Sequence, residues 1–217
     1  MDYKAARHSM IESQLRTNQI NNEKILEAIG KIDRQDFVPK NYKDVAYVDE
    51  DITIAPDRVM LEPLLAATFL QTAEIKESDE VLVVAAGLGY ELALVHEFTN
   101  SVVAVEGNIQ LRKQAEENLN DKSIDSIAFK TSGYNSEGAP EYAPFDVIMI
   151  LGSVEVLPDT FIEQLREGGR LIYIKRDGHV GNLVKVTKTK DNMTTEDIRN
   201  AYTPILPRFK KKEEFIF

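Results

Sequence analysis

The chain has no cysteine and no tryptophan among its 217 residues, three histidines in all, and 26 Lys and Arg against 36 Asp and Glu. Without cysteine there are no disulfides, no thiolate nucleophile and no thiolate zinc site, a usage that fits a reducing compartment and makes the cytoplasm the expected location. His8, His96 and His179 are too far apart in sequence to make a local metal motif, so no metal is expected. A net charge of −10 repels a polyanion over most of the surface, which argues against nucleic acid as a partner. The basic run Arg208-Phe209-Lys210-Lys211-Lys212 is followed at once by Glu213 and Glu214 and reads as a solvated terminal stretch. No run reaches the roughly 18 apolar residues of a membrane span, and the polar start Met1-Asp2-Tyr3-Lys4 lacks the apolar centre of a secretion signal. The expectation is a soluble protein without a membrane partner.

What is present is 43% hydrophobic residue content, sufficient for one substantial core and no second one. Met10, Ile11 and Leu15, then Ile25, Leu26 and Ile29, recur at helical spacing, with Asn21 or Asn22 available to cap the second helix. Residues 33–56 lose that period and read as an irregular lid with a short strand at Ile52-Thr53-Ile54. Pro63 suits the first turn of a helix that continues through Leu70 toward Thr72. Beyond Glu80, short apolar runs at 81–85, 102–106, 127–131 and 146–151 alternate with helical segments at 90–98, 109–119 and 160–165. That alternation predicts an α/β fold, a Rossmann-like, mostly parallel sheet with helices on both faces. After Gly168-Gly169, runs at 170–175, 180–188 and 198–202 around the turn residues Asp177-Gly178 predict an antiparallel carboxy-terminal edge. The organisation is thus an amino-terminal helical extension over 1–56 on an α/β core over 57–217, one structural domain overall.

Val81-Leu82-Val83-Val84-Ala85 runs into Ala86-Gly87-Leu88-Gly89-Tyr90, a buried strand followed by glycines and a helix. Glycine there admits backbone angles closed to other residues and lets a ligand approach the main chain. Glu106 ends the next strand, 19 positions after Gly87, where a carboxylate can accept from both hydroxyls of a ribose. A dinucleotide fingerprint needs a third glycine three residues after the second, and that position is Leu92, so a nicotinamide cofactor is the weaker reading. A Gly-x-Gly turn serving packing alone is the bland alternative.

Several stretches in order resemble the protein-L-isoaspartate O-methyltransferase family, which uses S-adenosylmethionine. They are Ile32-Asp33-Arg34-Gln35-Asp36-Phe37-Val38-Pro39, the acidic stretch 47–54, Val105-Glu106, the segment 137–146 from Glu137-Gly138-Ala139-Pro140 to Phe145-Asp146, and Gln164-Leu165-Arg166-Glu167-Gly168-Gly169-Arg170-Leu171. The likeness runs from about Met10 to the carboxy terminus. It implies a methyltransferase with S-adenosylmethionine held by Met60, Glu62, Ala86, Gly87, Gly89, Tyr90, Glu106, Gly107, Ser132 and Gly133. It also implies an isoaspartyl peptide or protein as acceptor and S-adenosylhomocysteine as product.

The sequence departs from the family where the chemistry is done. Val59-Met60-Leu61-Glu62 stands where the family carries a Thr-Ile-Ser-Gln type sequence, Val83 where it has an acid, and Ser132 where an aspartate would accept from the adenine amino group. Two lost hydroxyls remove hydrogen bonds of about 0.5–1.5 kcal/mol each, and Glu62 would repel an anionic acceptor. Leu61, Glu62 and Asp49 are the candidates for the reacting side, with no catalytic residue assigned. Glu62 reads either as a helix-start carboxylate or as a ligand contact, Asp49 and Asp51 as a solvated loop, and Arg58 and Tyr90 as residues of the site's mouth or of the scaffold. The alternative function is a methyltransferase-like protein that binds the adenosyl donor or its product and acts on another acceptor, or on none.

Overall fold

The amino-terminal stripes fold as their spacing predicts in the computed structural model, in which residues 1–130 and 133–211 are described. Helix α1 (Tyr3–Met10) starts at Asp2, whose carboxylate accepts from the Ala5 N–H at 3.0 Å, and leads through a wider turn at Ile11–Leu15. Helix α2 (Glu23–Lys31) is capped by Asn22, which accepts from the Lys24 N–H at 3.1 Å. Met10, Leu15, Ile25, Leu26 and Ile29 are buried. Strand β1 (Ile52–Ala55) pairs antiparallel with β2 (Arg58–Met60), so a hairpin crosses the boundary between residues 56 and 57. Helix α3 (Pro63–Ala73) follows with proline in its first turn and is buried on nearly every side, as a helix apolar all round must be.

The α/β core then adds β3 (Val81–Val84), α4 (Tyr90–His96), β4 (Val102–Val105), α5 (Ile109–Asn120), β5 (Ala128–Phe129), β6 (Phe145–Val154), α6 (Thr160–Glu163), β7 (Leu165–Asp177), β8 (Val180–Lys188) and β9 (Met193–Asn200). One seven-stranded sheet runs in the order β5-β4-β3-β6-β7-β8-β9. The pairs from β5 to β7 are parallel, and β7-β8 and β8-β9 are antiparallel. The strand order reverses direction at β3, which puts the topological switch point, the usual ligand crevice of such sheets, outside the carboxyl ends of β3, β4 and β6.

The carboxy-terminal half departs from the sequence reading. β7 runs straight through Gly168-Gly169, because a Cβ at Gly169 would stand 2.8 and 3.0 Å from the carbonyls of Arg166 and Phe145; the glycines allow a bulge in the strand instead of a turn before it. β9 begins at Met193, ahead of the run at 198–202, since an edge strand whose first five residues are exposed carries no apolar alternation to reveal it. The basic tail is anchored: Phe209 is buried against Phe161 with ring centroids 6.0 Å apart, and its carbonyl accepts from the Glu155 and Val156 N–H groups. Residues 212–217 lie outside the described residues. Among those described, no helix is long and apolar enough to cross a membrane.

Candidate active site

At the carboxyl end of β3 the chain turns through three left-handed residues, Ala85 at φ 61°, Gly87 at φ 59° and Gly89 at φ 93°. The Ala85 and Ala86 N–H groups still bond the Val105 carbonyl at 2.8 and 3.3 Å, tying the turn to the end of β4. Glycine at 87 and 89 takes these angles without the cost a side chain adds and leaves room for close packing. A Cβ on Gly87 would stand 3.1 Å from Ile54 of the hairpin, and one on Gly89 would stand 3.4 Å from Ala115 and Leu119 of α5. The space above the turn is thus shared with the β1–β2 hairpin.

Glu106 follows β4 and is 4% exposed. Its Oε2 accepts from the Gly87 N–H at 2.8 Å and its Oε1 from the Asn108 N–H at 2.9 Å, so the protein's own backbone ties the carboxylate to the turn. Arg58 of β2 completes the set, donating at 2.7 Å to each carboxylate oxygen and at 3.0 Å to the Ala85 carbonyl. The arginine side chain is 5% exposed and the carboxylate fully enclosed. Arg58 is therefore a buried ion-pair partner and not a residue of an open mouth. The two-pronged geometry resembles what a vicinal diol offers a carboxylate, two donors side by side.

A second buried arginine joins distant parts of the segment before α3. Arg34 donates to the Ala46 carbonyl at 2.7 Å and the Leu61 carbonyl at 2.6 Å, and its guanidinium lies 4.9 Å from the centre of the Tyr90 ring. Tyr90 is buried and meets Phe37 edge-on at 5.7 Å, so it too belongs to the scaffold. Beside it, burial pushes the Glu91 carboxyl above the usual carboxylate range against the opposing pull of Arg34, and its Oε1 has no hydrogen-bond partner among the described residues. Nη1 of Arg34 is likewise buried without a partner.

The reacting-side candidates gather at the start of α3. Asp51 accepts from the Glu62 N–H at 2.8 Å and Asp49 from the Leu64 N–H at 3.3 Å, so these two carboxylates cap the helix and do not form a solvated loop. Glu62 is half-buried at the cap position and makes no side-chain capping bond. Burial and then the neighbouring Asp49 and Asp51 raise its pKa, with Arg199 and Arg34 opposing. Met60 and Leu61 are buried, and the Leu61 carbonyl serves Arg34. On the opposite side, the Gly107 N–H donates to Asn135 Oδ1 at 2.8 Å, and Gly133 sits at φ 101° in the loop after β5. Ser132 lies outside the described residues.

Sequence reasoning singled out neither Glu91 nor Asn135. A charged residue ahead of Leu92-Ala93-Leu94-Val95 is the signal that could have flagged Glu91; nothing in the sequence marks Asn135, whose role depends on a loop folding back to Gly107.

With the geometry in place, comparison with known proteins is direct. A family model described as protein-L-isoaspartate(D-aspartate) O-methyltransferase matches residues 5–208. A protein-L-isoaspartate O-methyltransferase of Methanoculleus marisnigri is 32% identical over 204 residues, 94% of this chain and 92% of the relative. One from Koribacter versatilis is 35% identical over 76% of this chain and 74% of its own length. Among solved structures, a protein-L-isoaspartate O-methyltransferase superposes with TM-score 0.78 at 22% identity, over 92% of this chain and 65% of the other. A beta-aspartate methyltransferase from Plasmodium falciparum, described in complex with S-adenosyl-L-homocysteine, gives TM-score 0.79 at 18% identity over 98% of this chain and all of its own. These two structures share the fold. The chain belongs to the protein-L-isoaspartate(D-aspartate) O-methyltransferase family of methyltransferases.

Proposed function

We propose that this chain binds S-adenosylmethionine across the turn 85–89 and Glu106 and transfers its methyl group to a carboxyl acceptor, an isoaspartyl peptide or protein, presented at the start of α3. The supporting observation is the enclosed Glu106 carboxylate, fixed by the Gly87 and Asn108 N–H groups and already facing a pair of donors. Residue chemistry fits an adenosyl donor: Glu106 for the ribose hydroxyls, the Gly87–Gly89 backbone beneath the ligand, and Gly107, Ser132 and Gly133 toward the base. Met60 and Glu62 would border its amino-acid end. The bound donor supplies an electrophilic methyl group on a sulfonium, which leaves as a neutral thioether when the acceptor oxygen shares its lone pair. The protein's task is then positioning, holding the acceptor within about 3–3.5 Å in line and excluding water. An ionised carboxyl acceptor needs no general base.

The acidic group at α3 favours a second reading, an amine acceptor that arrives as an ammonium and gives its proton to a carboxylate before it is methylated. Asp49, Asp51 and Glu62 would repel a carboxylate and attract an ammonium, and the raised pKa of Glu62 brings it closer to the working range of a base. Incubation with methyl-labelled S-adenosylmethionine separates the two. Alkali-labile label on an isoaspartyl peptide, and none on its aspartyl counterpart, is the expected result. Alkali-stable label on a lysine-rich peptide would establish the second reading. S-adenosylhomocysteine binding without transfer to either would mean a binding module.

A further inference from the structure

We propose that Arg58 is an internal occupant of the ribose subsite, which the adenosyl ligand must displace in order to bind; this rests on the donor-site reading above. A carboxylate has about four acceptor positions on its two oxygens. In Glu106 all are used: by the Gly87 N–H at 2.8 Å, the Asn108 N–H at 2.9 Å, and two Arg58 N–H groups at 2.7 Å. The two backbone donors belong to the glycine turn and to the start of α5, and cannot withdraw without dismantling those elements. The other two sit on a side chain carried by a three-residue strand of the lid hairpin. Two ribose hydroxyls can reach Glu106 only where Arg58 now is.

The surroundings allow the exchange. Arg58 directly follows the exposed turn residues Pro56 and Asp57, so a guanidinium leaving Glu106 can reach solvent and need not become an unpaired buried charge. The movement would also be felt at the acceptor side, because Arg58 stands four positions before Glu62 on the segment that leads into α3. The hairpin thus couples the filling of the donor subsite to the geometry of the helix start.

Two measurements test this with S-adenosylhomocysteine as the probe. In titration calorimetry, Arg58→Met and Arg58→Gln are expected to bind it about tenfold or more tightly than the wild type, because the competing fork is gone. The second uses the unaltered protein and is independent of how those variants fold. Phenylglyoxal labelling read by peptide mass spectrometry should show Arg58 protected in the free protein and at least about threefold more reactive when ligand is bound, the reverse of ordinary ligand protection. Affinity unchanged or weakened in folded Arg58 variants, or Arg58 labelling unchanged or decreased by bound ligand, overturns the displacement while leaving the donor site standing. Failure of the wild type and both Arg58 variants to bind, or Glu106→Ala binding as well as the wild type, removes the donor-site reading and this inference with it.

Discussion

At the scale of single residues, the site combines strain with buried charge. Ala85 holds a left-handed conformation that costs an L-residue with a Cβ about 1–2 kcal/mol. Ala85→Gly is expected to stabilise the fold by about 0.5–1 kcal/mol after the extra chain entropy of glycine is subtracted, read as a higher urea midpoint at unchanged slope. Glu91 is a protonation problem. Its carboxyl is raised by burial, so the native state keeps a proton that the unfolded chain releases, and stability falls as pH rises from the unfolded value toward the native one. Glu91→Gln removes that dependence. The variant should melt above the wild type at pH 8 and lose the advantage near pH 4, and identical pH profiles would refute the assignment.

At the scale of elements, the hairpin and the start of α3 are one unit held by side chains from distant positions. Asp51 and Asp49 take the place of a local capping residue, since Glu62 at the cap makes no side-chain capping bond. Asp51→Ala should cost about 1 kcal/mol, the usual worth of a cap, measured by chemical denaturation. Arg34 joins the carbonyls of Ala46 and Leu61 from 12 and 27 positions away. Arg34→Met leaves both carbonyls without a charged donor, each costing about 1–3 kcal/mol, and should raise amide exchange in the segment 46–62 before the core strands respond.

At the scale of the whole molecule, ligand binding reports on the fold. S-adenosylhomocysteine at 100 times its dissociation constant should add about 2.7 kcal/mol, a rise of about 5–10 °C in melting temperature for a chain of this size. Phe209→Ala should cost about 3–5 kcal/mol by releasing the tail from Phe161, which calorimetry would register as a large fall in the transition temperature. A loss below 1 kcal/mol would mean that the tail is only laid on the surface.

The parallel strands were legible in the sequence because strands buried on both faces must be continuously apolar, as Val81-Leu82-Val83-Val84 is. The turn and its acid were legible because left-handed angles favour glycine and the connecting helix sets the spacing to Glu106. The first residues of edge strand β9 were not, since one hydrogen-bonded side asks nothing of their side chains, and the run at 198–202 marked only the strand's end. Residue order by itself determined the sheet, the glycine turn and the carboxylate that faces it. Only the tertiary structure decided that Arg58, 48 positions before Glu106, would fill that carboxylate, and that Asp49 and Asp51 would cap α3. Hydrogen bonds of that kind depend on distances set after the hairpin folds onto the sheet, and no local pattern of residue types encodes such distances.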